Sequence, residues 1–490
     1  MSDSTFITEK SKGIKISTKD QSLSAMNTYG KSLRFSKFVH AFFKNDIVCL
    51  YHSLTHQTYY LEKKYYNTLS DSSIRLISVE NTIGNDISLL IDSGFIVSDA
   101  YEENRIINTI ADKFLQRPVI NIVNLLLTDK CNLACKYCYI ENCLSNSHKF
   151  TFMTEEIIKL ALRKFADQLN STNRSTSNPE IILYGGEPLL NTRGVVSIVN
   201  EVKRMKTGGV LSADTKIRLI TNGTYLPEEI IDCIVMNKDL INVSFSIDGP
   251  KDVHDFNRIY HNGSGSFDEI IKNYHTLKMH QVNVGISCTI NEKNLPILES
   301  VVDWMISDLK IKGFGFNLLI DTPDKLQLGK DYSYRATEMM IKCFKRCRIL
   351  GIYEDRIMRK AKAFVNKTLH LVDCAGYGNQ FVVDPIGRIG SCQAYVTTKK
   401  NFPTTVFNKN FDFQNDPVFL KWSQRSPFNM NRCHDCFAIG MCGGGCAYNS
   451  EIRQGDMHIP DENFCIHTKT ICEWLVWDLY EIQQKNSMEV

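Results

Sequence analysis

Three cysteines on one short loop carry the clearest chemical signal in this sequence. In residues 128–139, Cys131, Cys135 and Cys138 are separated by three and two residues, directly after an apolar segment. Three thiolates can hold three corners of a [4Fe-4S] cube, whereas ordinary electron-transfer clusters have four cysteine ligands. The spacing therefore predicts a cluster with one iron left open for chemistry. A zinc loop is the alternative, but zinc sites usually pair their cysteines.

The other cysteines are distributed unevenly along the chain. Of 17 cysteines in 490 residues, only Cys49 precedes Cys131, while eight lie beyond residue 370. The first residues lack the basic and then apolar pattern of a secretory signal, which argues against a disulfide framework in an oxidising compartment. Metal ligation by thiolates is the better explanation, and we expect a cytoplasmic protein.

Length and charge exclude several classes of protein. A chain of 490 residues is too long for a single hydrophobic core and indicates two or three packed domains. Its 57 basic and 54 acidic side chains leave a net charge of +3, which predicts no affinity for nucleic acid or for a membrane surface. No apolar run approaches the roughly 20 residues of a membrane-spanning helix.

The first 110 residues divide into a tail and a small α+β domain. Residues 1–24 are rich in Ser, Thr, Lys and Asp without apolar periodicity, and they predict a disordered tail. Within residues 25–110, two strands are predicted at 47–51 and 58–61, followed by a helical pattern, a second helix that ends at Gly94, and a strand at 95–97. This order predicts a winged-helix-like domain.

Strands and amphipathic helices alternate through residues 115–330, which predicts an α/β fold with a parallel sheet. The strand candidates are residues 119–127, 180–184, 216–220, 242–247, 284–289 and 314–319. Six strands predict a partial (β/α)6 barrel of the TIM type, with chemistry on loops at the carboxyl ends of the strands, where Cys131 lies. Residues 331–372 predict a helical bridge. The cysteine-rich residues 373–480 have too little apolar pattern for a large core without metal.

At Cys131, Cys135 and Cys138 the sequence resembles the radical S-adenosylmethionine (SAM) enzymes. In that family SAM binds the open iron, and its reductive cleavage gives a 5'-deoxyadenosyl radical that abstracts hydrogen from the substrate. The resemblance implies that these three cysteines are the catalytic cluster ligands. It also places Tyr137 beside the adenine of the cofactor.

The motif Tyr184-Gly-Gly-Glu-Pro188 resembles the segment with which the family binds the amino group of SAM. Two glycines let backbone approach a ligand closely, and a carboxylate accepts hydrogen bonds from an ammonium group. The resemblance implies that Gly186 and Glu187 contact the cofactor.

The segment Ser244-Phe-Ser-Ile-Asp-Gly-Pro250, continuing to Arg258, resembles the peptide- and sulfatase-modifying branch of the family. The resemblance implies that Ser246 and Arg258 hold the ribose and carboxylate ends of SAM, and a forked guanidinium suits a carboxylate. It further assigns polar contacts with cofactor or substrate to Asn222 and Asn291.

The carboxyl-terminal cysteines resemble the SPASM extension found in part of the family. The matching pattern includes Gly387 and seven cysteines, namely Cys374, Cys392, Cys433, Cys436, Cys442, Cys446 and Cys465. In relatives this extension holds two auxiliary [4Fe-4S] clusters with interleaved ligands. The resemblance implies a four-cysteine set, Cys433, Cys436, Cys442 and Cys465, and a three-cysteine set, Cys374, Cys392 and Cys446. The chain would then hold three [4Fe-4S] clusters.

The three-cysteine set lacks the fourth ligand of its fully coordinated relatives. Those relatives carry a cysteine a few residues before the position of Cys374, and residues 367–373 contain none. Cys343 and Cys347 are the closest upstream candidates, but they fall in a helical pattern typical of buried thiols. An open iron in this set would bind a substrate thiolate and lower its pKa. Cys472 matches no ligand position.

The small domain at residues 25–110 resembles the PqqD-like module that recognises leader peptides. An exposed strand edge could take up an extended leader by adding it to the sheet. A structural cap on the barrel is the alternative role. The expected partners are a precursor peptide with a leader sequence and a reducing electron donor such as flavodoxin or ferredoxin.

The leading hypothesis is a radical SAM enzyme that modifies a ribosomally made peptide by joining a cysteine sulfur or another side chain to an unactivated carbon. The first alternative is anaerobic sulfatase maturation, in which a cysteine or serine becomes formylglycine. That group usually has an aspartate base directly after the second SPASM cysteine, whereas Gln393 follows Cys392 here, and an amide cannot accept the proton. The second alternative is a scaffold that binds iron-sulfur clusters without catalysis.

Overall fold

The computed structural model describes residues 6–10, 13–17, 33–70, 85–98, 103–115, 117–140, 148–171, 178–322 and 328–488. Ile74, at the end of the helical pattern predicted after residue 61, and Cys143 lie outside these ranges. Among the described residues, no helix combines the length and apolar character that a bilayer crossing requires.

A parallel sheet of six consecutive strands forms the centre of the molecule. These strands are β8 (Ile122–Leu126), β9 (Glu180–Tyr184), β10 (Lys216–Thr221), β11 (Ile241–Ser246), β12 (Val284–Ile290) and β13 (Gly313–Leu318). Each strand pairs in parallel with the next along the chain. The predicted α/β fold with a partial barrel is confirmed, with strand ends within a few residues of those expected.

Helices connect the strands and cover one face of the sheet. They span Glu155–Ser171, Thr192–Thr207, Glu228–Met236, Lys251–Asn257, Phe267–Met279 and Leu298–Ser307. Burial alternates along the strands as this arrangement requires. In β11, for example, Ile241, Val243 and Phe245 are buried, whereas Ser244 and Ser246 on the other face are half-buried.

The helical bridge and the cysteine-rich region each extend this sheet at one edge, which the sequence pattern did not indicate. A short strand β14 (Tyr353–Glu354) pairs in parallel with β13, and β15 (Gln380–Val383) pairs in parallel with β8. Two further strands, β16 (Arg388–Gly390) and β17 (Thr404–Thr405), complete a ten-stranded sheet. The cysteine-rich region is thus joined to the barrel by backbone hydrogen bonds.

The predicted helical bridge is two helices, Lys330–Ile349 and Asp355–Asn366, separated by β14. Gly351 has a φ of 67° between them, a left-handed conformation that ends the first helix. The remaining helices are Pro417–Ser423, Ile439–Cys442, Ala447–Gln454 and the long carboxyl-terminal Glu462–Met488. Short 3-10 turns cover Pro188–Asn191, Leu295–Ile297, Gln393–Tyr395, Pro427–Asn429 and Asn431–Cys433.

The described part of the amino-terminal domain has two strands more than predicted, β3 (Leu33–Phe35) and β4 (Val39–Lys44). Strand β4 forms an antiparallel sheet with β5 (Ile47–His52) and β6 (Thr58–Glu62), and β3 pairs with β7 (Ile96–Ser98). Helices span Lys63–Ser70, Asn85–Asp92 and Asn104–Phe114. Gly94 has a φ of 74°, which suits the predicted helix end.

Residues 6–17 differ from the predicted tail without regular structure. Strands β1 (Phe6–Lys10) and β2 (Gly13–Ser17) pair as an antiparallel hairpin. Ile7 pairs with Ile16 and Glu9 with Ile14, a short alternation of apolar and polar residues that the composition of the tail obscured.

The amino-terminal sheet packs on the carboxyl-terminal region. The Phe42 and Phe437 rings meet edge to face with centroids 5.1 Å apart, and the Tyr60 hydroxyl donates to the Val476 carbonyl at 2.6 Å. A Cβ added at Gly440 would lie 2.2 Å from the Ser53 carbonyl oxygen, so the two backbones touch. The small domain is therefore held against the segment that follows Cys436.

We expect the fold to lose stability in mild acid because of buried His52. Its Nδ1 accepts hydrogen bonds from the Leu54 and Thr55 amides at 3.3 Å, which requires the neutral ring. Burial lowers the pKa of His52 to about 3, below the 6.5 of the unfolded chain, so this contribution to stability is lost as pH falls below about 6.5. Between pH 7 and 5, the free energy of unfolding should fall less in His52→Asn than in the native protein. The surface variant His280→Asn serves as the control. An equal pH dependence of the free energy of unfolding in all three proteins would contradict this expectation.

Candidate functional site

The first cysteine loop follows the carboxyl end of β8 and is fastened to the segment before residue 261. The Ala134 amide donates to the Ile259 carbonyl at 2.7 Å, and the Lys136 amide donates to the Asn257 carbonyl at 3.0 Å. Burial raises the pKa of the Cys131 thiol, and the charges of Glu187, Cys135 and Cys138 raise it further. The structure therefore brings the three predicted cysteines together.

The two glycines of the Tyr184–Pro188 motif press against this loop. The Gly186 amide donates to the Thr128 carbonyl and the Glu187 amide to the Lys130 carbonyl, both at 2.8 Å. A Cβ at Gly186 would lie 2.3 Å from the Lys130 carbonyl oxygen. The missing side chain thus lets the motif approach the backbone of the cysteine loop, where the sequence pattern suggested only an approach to a ligand.

Glu187 is buried beside Cys131. Its Oε1 accepts from the Leu189 amide at 2.9 Å and the Thr221 hydroxyl at 2.6 Å, and its Oε2 accepts from the Asn222 amide at 2.7 Å. Burial raises the pKa of Glu187 to about 7, although these three hydrogen bonds favour its charged form. The carboxylate is therefore held in a fixed orientation at the edge of the loop.

Asn222 joins this group through its side chain. Its Nδ2 donates to the Asn132 Oδ1 at 2.9 Å and lies 3.7 Å from the Cys131 Sγ. The Leu133 amide also points to that sulfur, at 3.5 Å. N–H donors around a thiolate are a common feature of iron-sulfur ligation because they stabilise its negative charge.

Asp248 organises the opposite side of the loop, and the sequence pattern did not single it out. The fully buried carboxylate accepts from the Tyr137 hydroxyl, from the Arg258 Nε at 3.1 Å and from the Thr289 amide at 3.0 Å. The Arg258 Cζ lies 5.4 Å from the centre of the Tyr137 ring. The only signal for Asp248 in the sequence was its place within the Ser244–Pro250 motif.

Ser246 and Asn291 are positioned less directly. Ser246 ends β11 opposite Ser287 of β12 and is half-buried. The Asn291 side chain donates to the Thr289 carbonyl at 3.1 Å and accepts from the Lys293 and Asn294 amides at 2.9 and 3.1 Å. The amide of Asn291 is therefore used within its own turn, and a contact with cofactor stays a prediction.

The SPASM-like cysteines gather in two groups. Burial raises the pKa of Cys392, and the charges of Cys374 and Cys446 raise it further. In the same way burial raises the pKa of Cys465, and Cys442, Cys433 and Cys436 add to the effect. The groups have the same members as the three-cysteine and four-cysteine sets. Between Cys442 and Cys446, three glycines with φ of 71°, 92° and 68° turn the chain from one set to the other.

The described residues bring no further cysteine to the three-cysteine set. Cys343 and Cys347 are fully buried on the helix Lys330–Ile349 within the main hydrophobic core. Cys472 is also fully buried, beside Tyr51 and Cys436. The Gly376 amide points to the Cys374 Sγ at 3.4 Å, as expected for a ligand sulfur.

The cysteine geometry is unlike that of a single-ion site. Over the described ranges, no three His, Cys, Asp or Glu side chains converge as the ligands of one metal ion would. Ligands of a cluster bind separate iron atoms and are spaced more widely than those of one zinc ion. Grouped thiols with N–H donors have the chemistry that an iron-sulfur cluster requires of its ligands.

Gly186→Ala should weaken the first cluster site specifically. The added methyl group overlaps the Lys130 carbonyl and displaces the loop before Cys131, so we expect a loss of about four irons per chain after anaerobic reconstitution. Iron analysis with electron paramagnetic resonance checks this. Gly329→Ala is the matched control because a Cβ there has no atom within 4 Å. Full iron content in Gly186→Ala would show that the close backbone approach is unnecessary.

Residues 125–304 match the family model described as the Radical SAM superfamily. The radical SAM cyclopropyl synthase TigE of Paramaledivibacter caminithermalis is 22% identical over 91% of this chain and 96% of its own length. A cysteine-type anaerobic sulfatase-maturating enzyme of Clostridium perfringens is 23% identical over 73% of this chain and 96% of its own. In fold, the chain is similar to Streptococcus suis SuiB bound to S-adenosylmethionine, with a TM-score of 0.55, 13% identity, and coverage of 88% of this chain and 99% of SuiB. Residues 125–304 are therefore a radical SAM domain, and the chain as a whole is similar to the radical SAM cyclopropyl synthase and to the sulfatase-maturating enzymes.

Proposed function

We propose that this enzyme modifies a ribosomally made precursor peptide, joining a cysteine sulfur or another side-chain atom to an unactivated carbon. The main observation in support of this proposal is that the amino-terminal domain packs on the cysteine-rich region. Similarity to the cyclopropyl synthase TigE and to SuiB extends over about nine-tenths of the chain and so includes residues of this domain. SuiB has also been solved bound to the precursor peptide SuiA.

Cys131, Cys135 and Cys138 would hold a [4Fe-4S] cluster that, with SAM bound, supplies a 5'-deoxyadenosyl radical for hydrogen abstraction. Glu187 is suited to the amino group of SAM because its carboxylate is fixed by three donors. Arg258 is suited to a carboxylate because Asp248 engages only its Nε, and the other guanidinium nitrogens can bind the ligand. The other proposed cofactor contacts are Tyr137, Gly186, Ser246, Asn222 and Asn291.

The three-cysteine set, Cys374, Cys392 and Cys446, would hold a cluster with an open iron for the substrate thiolate. The four-cysteine set, Cys433, Cys436, Cys442 and Cys465, would hold the third cluster. Closing a thioether requires the peptide to lose a hydrogen atom to the adenosyl radical, a proton to solvent and one electron. The auxiliary clusters are the proposed acceptor of that electron, and a flavodoxin or ferredoxin is the proposed donor for SAM cleavage.

Tyr139 lies between the first cysteine loop and the three-cysteine set. Burial raises the pKa of its hydroxyl, and Tyr184, Cys392 and Cys138 add to the shift. The two proposed clusters would then lie on either side of one aromatic residue. Such an arrangement would let a substrate held between them pass an electron to the three-cysteine set.

Leader recognition is assigned to the amino-terminal sheet. Within the described ranges, β5 is the one strand of the order β4-β5-β6 that is paired along both edges, and the outer edges of β4 and β6 are the proposed places for an added strand. The exposed Phe43 at the end of β4 offers an apolar contact for a leader side chain. A domain that served only as a structural cap would not need a strand edge that a peptide can cover.

Hydrogen exchange with the full-length protein tests leader binding. The precursor peptide should slow amide exchange in Val39–Lys44 or Thr58–Glu62 by about tenfold or more, which corresponds to about 1.4 kcal/mol of added local stability. The amides of the central strand Ile47–His52 are the internal control because both its edges are already paired. Unchanged exchange in both edge strands at saturating peptide would reduce this domain to a cap.

Two alanine variants test the division of labour between the clusters. Cys131→Ala should reduce SAM cleavage to the uncatalysed background, because the radical-generating cluster loses a ligand. Cys374→Ala should still cleave SAM slowly but form no modified peptide. Chromatography of 5'-deoxyadenosine and mass spectrometry of the peptide measure the two steps. Equal peptide product from both variants would contradict the assignment.

Sulfatase maturation remains the second candidate function because a sulfatase-maturating relative matches residues over nearly all of its own length. The two candidates give different products. A crosslink removes two hydrogens from a precursor peptide, whereas formylglycine formation converts one cysteine or serine in a sulfatase-derived peptide. Mass spectrometry of both substrates after reaction separates them. A scaffold without catalysis would form no 5'-deoxyadenosine after reduction with dithionite in the presence of SAM.

A further inference from the structure

Arg425 is a fully buried cation in the middle of the cysteine-rich region. Its Nε donates to the Tyr377 hydroxyl at 3.0 Å, and its Nη1 donates to the Ile459 carbonyl at 3.3 Å. Its Nη2 donates to the Gly444 carbonyl at 2.7 Å and the Ser450 hydroxyl at 3.0 Å. All four acceptors are neutral oxygens.

No carboxylate in the described part of the chain forms an ion pair with Arg425, which distinguishes it from buried Arg258 and Lys360. Arg258 pairs with Asp248 at 3.1 Å, and Lys360 pairs with Asp373 at 2.7 Å. A buried charge without a partner is costly, so proteins bury cations beside anions. The acidic neighbour Asp461 lies beyond ion-pair distance and accepts from the Cys446 and Phe464 amides and the Asn449 side chain.

The hydrogen bonds of Arg425 place it between the two auxiliary cysteine sets. Gly444 lies on the turn from Cys442 to Cys446, and the Ser450 hydroxyl donates to the Cys446 carbonyl at 3.0 Å. The Tyr377 amide donates to the Cys374 carbonyl at 3.1 Å. Burial raises the pKa of the Cys374, Cys433 and Cys446 thiols, and the charge of Arg425 opposes this for all three.

We propose that Arg425 is the buried counter-ion of the auxiliary clusters and raises their reduction potential. The proposal rests on the function given above, because it requires iron-sulfur clusters on these two cysteine sets. A cluster with thiolate ligands is an anion, and adding an electron makes it more negative. A cation fixed beside it in a medium of low dielectric stabilises the reduced form more than the oxidised form. Arg425 therefore helps the auxiliary clusters to accept the electron that the peptide must lose.

Redox titration of the reconstituted full-length protein tests this inference, with electron paramagnetic resonance reporting each cluster. Arg425→Gln removes the charge but keeps hydrogen-bond donors. At the midpoint potential of the native auxiliary cluster, we expect the ratio of reduced to oxidised cluster to fall about tenfold or more, equivalent to about 59 mV for one electron. Arg425→Lys keeps the charge and should stay near the native value. The control is Arg453→Gln, which removes an arginine that is paired with Asp321. This variant should leave the reduction potential of the auxiliary clusters unchanged.

Each outcome decides the question. Arg425→Gln with full iron content and an unchanged potential would overturn the inference. If Arg425→Gln fails to assemble its clusters, the iron content of Arg425→Lys decides the question. Auxiliary iron that is retained in Arg425→Lys supports the role of the charge. An equal loss of auxiliary iron in both variants shows that only the forked hydrogen bonds matter, which overturns the inference. A native protein that binds iron at the first cysteine loop alone would instead refute the proposed auxiliary clusters and leave Arg425 without the role inferred here.

Discussion

The electrostatics of grouped, buried thiols is the constraint on which the functional part of this molecule depends. Desolvation favours the neutral thiol, and each further thiolate nearby makes ionisation harder, as the raised pKa values of Cys131, Cys392 and Cys465 show. Such groups become stable ligands when positive charge is supplied. Iron would provide most of it, and backbone amides, Asn222 and Arg425 provide the rest.

The sheet explains how distant cysteines come to lie near one another. Strand β8 leads into the loop with Cys131, and β15 pairs with β8 in the same direction, for example Phe381 opposite Val123. From β15 the chain passes through β16 to Cys392, which lies near Tyr139 at the end of the first loop. One set of backbone hydrogen bonds thus determines the spacing between two cysteine groups that are more than 200 residues apart.

The amino-terminal domain contacts the segment that carries part of the four-cysteine set. Phe437 and Gly440 follow Cys436 of the four-cysteine set and contact Phe42 and Ser53 of the small domain. Cysteine ligands and the interface are therefore on the same short segment. A peptide bound to the edge of the small sheet would be held at a defined distance from the catalytic loop.

The sequence by itself determined the ligand types at Cys131, Cys135 and Cys138, because their spacing on one loop is local, and its resemblance to the SPASM extension implied the two carboxyl-terminal cysteine sets. It also determined the order of strands and helices, because periodicity of apolar residues is local too. Tertiary structure alone decided the roles of Asp248 and Arg425, since each depends on partners from separate segments, and neither type of residue is unusual in a sequence. It also decided that the helical bridge and the cysteine-rich region extend the barrel sheet, because β14 and β15 are too short to show a period and form only against the edges that β13 and β8 offer.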